Sequence, residues 1–520
     1  MDKVKNLASS FNTSDAIELI EKHDDEYYIN KAGGWGRMQL FCWIFTIMAY
    51  QGPNFYAYNM ACLELVPRLL CGVKGEVLHE WGTGIHTDLN SYELTYDTAY
   101  KSELCQGNEI RPDIHFEVDF SDPKSFNNWM TDQQLYCHSG FNIGLLGSMF
   151  FLGFAISGIL MKMSDYIGRL AVVQIGQIIQ ILWCYSFYFS NNIHTYYVTM
   201  FILGVTWGKN MTWYLLLSET CPKSTHIYIS AVVVASDNFI PLIVVPLYFY
   251  LGGKHWKSIF SLTLILPIIS LVMTCFIPES PRYLYSKRRY AQLDATMNYI
   301  AKVNGVELNI NSEEDTEKYT TSQTMDSIKH YQNKSEKSEN EYSILDDLKT
   351  PAVILNLLIM IIGFSVVSFN NYILMIYTKY IGGNIFINNI SIGFSTLSSG
   401  ISAVLLKQVF DNKYNLAANM CISLLFLVPL LFSPPTWIVA VCCFVSSLGI
   451  FSGYPLMFVL VTDLFHPLFV PFVFSAWNLV GRAFTMVSSE IAEMPNDIPV
   501  ISAILIQVIM IMSITLLRKT

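Results

Sequence analysis

The sequence predicts an all-α integral membrane protein: twelve transmembrane helices in two pseudo-symmetric six-helix bundles, joined by a polar linker. Three observations carry this. Hydrophobic residues make up 52% of the chain and charged residues only 14%, where a soluble domain carries about 25% charged residues. About twelve apolar stretches are each long enough to cross a hydrocarbon core of roughly 30 Å. Two long polar segments interrupt the series, one after the first stretch and one after the sixth.

The spans read as 38–60, 140–161, 170–190, 195–217, 227–251, 256–278, 352–378, 385–410, 415–433, 436–462, 467–489 and 496–516. Residues 1–37 are then a polar tail without the apolar run of a cleavable signal. Residues 38–278 form a first half that includes the hydrophilic loop 61–139. Residues 279–351 are a linker, and 352–520 a second half. Lys31, Arg37, Lys162, Arg169, Arg282, Lys287, Arg288, Arg289, Lys407, Lys413, Arg518 and Lys519 fall on one side if every span crosses. Basic residues beside spans mark the cytoplasmic face, so both termini and the linker are expected there and the loop 61–139 opposite. In the linker, Tyr283, Leu284, Leu293, Met297 and Ile300 suit short amphipathic helices within 280–304, while 311–341 is polar enough to stay flexible.

The net charge of −9 comes mostly from the polar loops. No basic patch supports nucleic-acid binding. Enzyme signatures and histidine spacings for a metal are absent, so no catalytic residue, metal or cofactor is assigned. Four cysteines, Cys62, Cys71, Cys105 and Cys137, fall in the loop. An even number on the non-cytoplasmic side favours two disulfides, with three connectivities open. The remaining cysteines lie in or beside spans and read as small packing residues.

Four stretches resemble one family. Gly34-Trp35-Gly36-Arg37-Met38-Gln39 precedes the first span. Ser164-Asp165-Tyr166-Ile167-Gly168-Arg169 forms the turn between the second and third. Gly208-Lys209-Asn210-Met211, with Glu219, lies on the fourth. Pro278-Glu279-Ser280-Pro281-Arg282-Tyr283-Leu284 follows the sixth. Together with the Cys-bearing loop they look like the organic cation/anion transporters of the major facilitator superfamily, over roughly residues 30 to 515. The resemblance implies that fold, a central cavity, transport by alternating access and a plasma-membrane location. An organelle membrane, the mitochondrial inner one included, is the alternative location. The chain departs from the family pattern at Met161, Tyr166 and Leu170 around the turn. It departs again near Asp411-Asn412-Lys413, where the Gly-Arg pattern is lost, and at Gly400, where the family tends to have lysine.

Charges near helix ends and inside spans are the functional pointers. Asp165, Gly168, Arg169, Glu219, Glu279, Arg282 and Asp463 sit at helix ends, where carboxylates and guanidinium groups can pair and separate as a gate. Within the bilayer an ionisable group costs several kcal/mol unless it faces a cavity or a partner. Asp237 lies in the fifth span and Arg482 in the eleventh. An internal repeat relates them: Glu219 and Pro222 precede Asp237 much as Asp463 and Pro467 precede Arg482. The two charges are therefore expected at similar depth, either lining a cavity or neutralising each other. Arg482 also matches the family position that tends to be basic in the anion branch, and its fork of donors suits a carboxylate or sulfonate. Around them Gln51, Asn210, Trp213, Tyr214, Asn371, Tyr372, Tyr377 and Asn478 complete the expected substrate site, with Tyr50, Asn54, Trp207, Tyr454 and Trp477 nearby.

The function expected is secondary transport of a small organic ion across a lipid bilayer, an anion being favoured. Two rivals are carried: a transport-inactive member of the fold acting as a structural or accessory subunit of a membrane protein complex, and a sugar-porter-like carrier.

Overall fold

Apolar stretches crossing a bilayer must satisfy every backbone hydrogen bond internally, and helices do so within one segment. The computed structural model describes residues 29–73, 79–80, 105–112, 114–190, 192–307, 349–432, 434–465 and 469–517. Most of the N-terminal tail, the 311–341 stretch, Pro467, Arg518 and Lys519 lie outside the described residues, as does the side chain of Cys71.

Twelve long helices occur among the described residues. They are α1 (Arg37–Tyr58), α2 (Gly140–Ile156, continuing as Gly158–Ile167), α3 (Arg169–Phe189), α4 (Ile193–Glu219), α5 (His226–Tyr250) and α6 (Trp256–Phe260 with Leu262–Met273). After the linker come α7 (Pro351–Tyr377), α8 (Ile385–Lys407), α9 (Asn412–Leu427), α10 (Thr436–Leu464), α11 (Val470–Ala492) and α12 (Ile498–Thr515). Eight of the described helices are long and apolar enough to cross a membrane by length and composition. The bounds follow local chemistry. Ser139, Asn192 and Asn384 cap α2, α4 and α8 by accepting backbone N–H groups. Pro351 and Pro499 sit in the first turns of α7 and α12, where a missing N–H costs nothing.

Two ends of the bundle can be told apart by what they carry: the loop end, with 61–139, and the linker end. At the loop end, β1 (Leu69–Val73) pairs antiparallel with β2 (His79–Glu80) and with β5 (Ile114–Val118). A second ladder joins β3 (Cys105–Gln106) to β4 (Glu109–Ile110). A disulfide between Cys105 and Cys137 ties this ladder to the segment leading into α2. Cys62 corrects the expectation of a disulfide: its thiol is free and buried. It lies on the helical turn Met60–Leu63 that extends α1, with its sulfur facing the Asn389 amide at 3.8 Å.

At the linker end, Pro281–Ser286 and Tyr290–Asn304 are the amphipathic helices, and Tyr283, Leu284, Met297 and Ile300 are buried. Asn304 binds this segment to the start of α1. Its Oδ1 accepts from Met38 N–H at 2.9 Å, and its Nδ2 donates to the Ala32 carbonyl at 2.9 Å and Gln39 Oε1 at 3.1 Å.

The two halves meet through α2 with α11, α5 with α8, and α1 with α7. Toward the loop end these meetings are knotted by side chains. Ser148 on α2 donates to the Met486 carbonyl at 2.9 Å and to Glu490 at 3.1 Å on α11. Phe126 and Phe249 of the first half pack on Phe386 of α8. Within the first half, α2 and α4 approach backbone to backbone. A Cβ on Gly153 would stand 2.0 Å from the Phe201 carbonyl oxygen, and one on Gly204 2.1 Å from that of Phe150.

Overpacking a tight contact costs about 1–3 kcal/mol. Gly204→Ala is therefore expected to lower the thermal unfolding midpoint in detergent, and Gly158→Ala, which meets nothing within 4 Å, to leave it unchanged.

Candidate functional site: a central cation between the halves and charge clusters at both ends

Arg482 enters the middle of the bundle from α11. Its guanidinium carbon lies 4.2 Å from the ring centre of Phe154 on α2 and 5.3 Å from that of Phe364 on α7. One aromatic face comes from each half, so the cation sits on the seam. Among the described residues Arg482 makes no ion pair or hydrogen bond with protein, and its Nε is buried without a partner. Cation–π contacts of this kind are worth about 2 kcal/mol when desolvated, which offsets only part of the cost of removing a guanidinium from water.

Asp237, its repeat-related counterpart on α5, is engaged elsewhere. Asn54 Nδ2 donates to one of its oxygens, and Tyr58 Oη donates to the other at 3.1 Å. Asn54 Oδ1 in turn accepts from Trp207 Nε1 at 2.9 Å. No ion pair joins Asp237 to Arg482. The two are instead linked by ring contacts: Phe154 tilted against Trp207 at 4.3 Å, and Tyr58 parallel to Tyr372 of α7 at 6.0 Å across the seam. Tyr372 also meets Phe151, one turn from Phe154, at 4.5 Å. Asn371 donates to Tyr454 at 3.4 Å, and Tyr454 packs against Phe364.

Arg482, Asp237, Tyr372 and Asn371 are therefore assembled around the seam, and others are not. Trp213 is fully buried in an apolar cluster of the first half with Met38, Cys42, Val173 and Leu216, so it lines no open cavity. Tyr214 packs against the same cluster. Asn210 is buried, its Oδ1 accepting from Lys209 Nζ at 2.6 Å, and Gln51 donates to the Ile47 carbonyl of its own helix at 3.0 Å. Tyr377 lies at the last residue of α7, bonded to the Asn496 carbonyl at 3.0 Å. Asn478 is exposed and donates to Phe474 of its own helix. Phe154 and Phe364 escaped sequence reasoning because an apolar residue in an apolar span carries no signal. Lys209 is a further charge in the first half. It is wholly buried, bonded to the Ala49 carbonyl at 3.0 Å and to Asn210, with no ion pair among the described residues.

The helix-end charges of the first half form one network at the linker end. Arg169 pairs with Asp165 at 2.9 Å and with Glu219 at 3.2 Å, and donates to the Ser164 carbonyl at 2.9 Å. Glu279 accepts from the backbone N–H groups of Arg169 at 3.0 Å, Leu170 at 3.1 Å and Ser280 at 2.9 Å, anchoring the N-terminus of α3. Ser280 Oγ donates to Glu219. Gly168 is required at the centre: its φ is +112°, and a Cβ there would stand 2.4 Å from Glu279 Oε2. Arg282 is exposed on the next turn. Asp463 does not join this network. It is exposed at the end of α10, accepting from Asn412 at 2.7 Å.

A third cluster lies beyond the helix ends on the loop side, and sequence reading named none of its members. Lys379, just after α7, pairs with Glu64, just after the α1 extension, at 2.8 Å, and with Glu493, just after α11, at 2.5 Å. Each of these residues alone reads as an interfacial anchor; only the fold brings them together.

Comparison with known proteins agrees with this architecture. Residues 125–489 match the model of the Major Facilitator Superfamily. The chain belongs to that superfamily. It is 22% identical over 351 residues to the organic cation/carnitine transporter 2 of Homo sapiens, covering 67% of this chain and 60% of that one. It is 24% identical over 342 residues to solute carrier family 22 member 21 of Mus musculus, covering 65% and 58%. The matches thus span about three fifths of these relatives' own lengths. Among solved structures, the xylose transporter XylE from E. coli in a partially occluded inward-open conformation aligns with a TM-score of 0.54, at 13% identity over 94% of this chain and 98% of that one. As a superfamily member with many apolar helices, the chain is a multi-pass membrane protein. The organic-ion branch read from the motifs is the branch of the named relatives.

Breaking a buried ion pair from one side costs about 3–5 kcal/mol. Arg169→Ala strands Glu219, which is 5% exposed, so its thermal unfolding midpoint should fall well below that of Asn412→Ala, which loses only an exposed contact.

Proposed function

We propose that this protein is a secondary transporter of small organic ions, with organic anions as its favoured class, working by alternating access of the two halves about Arg482. The reading rests chiefly on one observation: a guanidinium on the seam between halves, held by two aromatic faces and by no acceptor among the described residues. A carboxylate or sulfonate would supply the missing acceptors in bidentate geometry, and the flanking rings suit an apolar body attached to it. The relatives' names, organic cation and carnitine carriers, bring the organic-ion class; the unpaired Arg482 argues for the sign. Asp237 does not compete for Arg482, because Asn54 and Tyr58 occupy its oxygens.

The halves are tied at the loop end, while the Arg169 network stays within the first half and Asp463 within the second. This is the arrangement of a carrier closed at its loop end. In the alternate state the linker ends approach, and Asp165, Arg169, Glu219, Glu279, Arg282 and Asp463 are the charges available to gate it. The linker end faces the cytoplasm in this reading, with the plasma membrane as the family's usual location.

Purified protein in liposomes should show saturable uptake of labelled organic anions. Arg482→Ala should reduce uptake about 10- to 100-fold, the value of one charge-assisted bond at roughly 1.5–3 kcal/mol. No uptake of any organic ion would overturn the transporter reading and favour an accessory role. Cation uptake indifferent to Arg482 would overturn only the choice of anion.

A further inference from the structure

We propose that Glu64, Lys379 and Glu493 form a proton-binding site that holds the loop end of the carrier shut. Two carboxylates share one ammonium, so the deprotonated cluster carries a net charge of −1. Its ion-paired side chains are 1–2% exposed. Water cannot screen that surplus, and a buried uncompensated charge is expensive. A proton shared between the carboxylates removes the surplus while each keeps its bond to Lys379. A hydrated metal cation does not suit the same place, because Lys379 Nζ already occupies the gap between the carboxylates.

The groups facing the site carry the argument further. From α7 come Lys379 and Tyr380, whose Oη donates to Glu493 at 2.8 Å. From α11 come Glu493 and, one turn earlier, Glu490, which adds further negative charge and is held by Ser148 of α2. From the α1 extension come Glu64 and the uncharged Cys62 thiol, which meets Asn389 of α8. Among these described residues, one cation thus stands against three carboxylates. Burial pushes the Glu64 carboxyl up to about 7, with Glu493 and Glu490 adding to the rise against the pull of Lys379. Burial alone would lower Lys379, but Glu493 and Glu64 outweigh it and hold its ammonium above the ordinary range, so the ammonium stays charged.

The cluster also joins the two halves. Glu64 belongs to the first, Lys379 and Glu493 to the second, so the site exists only while the loop end is closed. When the loop end opens, Glu64 meets water and returns toward its ordinary value of 4.5. The closed state then binds more protons than the open one. Acid therefore favours closure, and the effect is lost as pH rises through the closed-state value.

This inference rests on alternating access but not on the identity of the substrate, so its test needs no substrate. Spin labels placed at the exposed, loop-end positions Leu251 and Trp437, with the exposed Cys275 and Cys421 replaced, report the separation of the halves in nanodiscs. Between about pH 8 and about pH 6 the ratio of short to long distances should rise about tenfold, each unit between closed and open values being a factor of about ten. Glu64→Gln and Glu493→Gln each mimic the protonated cluster and should stay at short distance across that range. A pH-independent ratio in the native protein would overturn the site, as would a full pH response surviving in both variants. A ratio that follows sodium concentration at fixed pH would overturn the proton in favour of a metal cation. Absent uptake in the liposome assay, by contrast, bears on the transporter reading and leaves these distances interpretable.

Discussion

The cost of holding charge away from water orders this molecule. A bilayer-spanning bundle can keep an ionisable side chain only if something compensates it, and three places in this chain do so by different means. At the linker end Arg169 is compensated by Asp165 and Glu219 within one half. At the loop end Lys379 is compensated by a carboxylate from each half. At the centre Arg482 is met by two aromatic faces and, among the described residues, by no ion pair. The first arrangement lies within one half, the second joins the halves, and the third leaves a guanidinium on the seam with no acceptor among the described residues.

Residues matched by the internal repeat do not do equivalent work. Asp237 and Arg482 are matched in sequence, yet Asp237 is absorbed by Asn54 and Tyr58 of its own half, whereas Arg482 crosses to Phe154 of the other. Glu219 and Asp463 are likewise matched. Glu219 is buried under Arg169 because Gly168 permits the turn that brings Arg169 over it. The second half has no Gly-Arg turn near Asp411-Asn412-Lys413, and Asp463 is left exposed on Asn412. The lost motif thus has a local structural consequence: one half carries an ion-paired network at its linker end, and the other has the exposed Asn412–Asp463 contact at the matched position.

Much of the fold was legible because the bilayer converts composition directly into helices. Each of the twelve expected spans falls on a helix, with ends displaced by a few residues where caps such as Ser139, Asn192 and Asn384 decide them. The charge network around Arg169 was legible for a similar reason, since its turn residues are spaced by the chain itself. The site was less legible. Arg482 stands out in an apolar span, but Phe154 and Phe364 beside it do not. Trp213 was misplaced because an aromatic residue next to polar neighbours on a helix does not reveal which face it presents, and here it faces the apolar cluster. Cys62 was misplaced because the loop was taken to begin before the helix had ended. The Glu64–Lys379–Glu493 cluster joins residues more than three hundred positions apart in the chain. Nothing local announces it.

Rigidity, finally, is distributed unevenly, and this constrains how the halves can move. The linker helices are bound into the first half twice. Asn304 bonds to Ala32, Met38 and Gln39, and Ser280 bonds to Glu219 beside Arg169. A motion that opened the linker helices away from α1 would break these hydrogen bonds and uncover the buried Ser280–Glu219 contact, which ties residues 281–304 to the first half. The seam offers a different balance. There the contacts toward the loop end are stacked rings and a few polar ties, Ser148 to Glu490 and Lys379 to Glu64. Ring contacts carry no hydrogen bond that must be broken, and separating Glu64 from Lys379 returns each to water. The seam is the surface along which this structure can yield at least cost, and Arg482 lies on it.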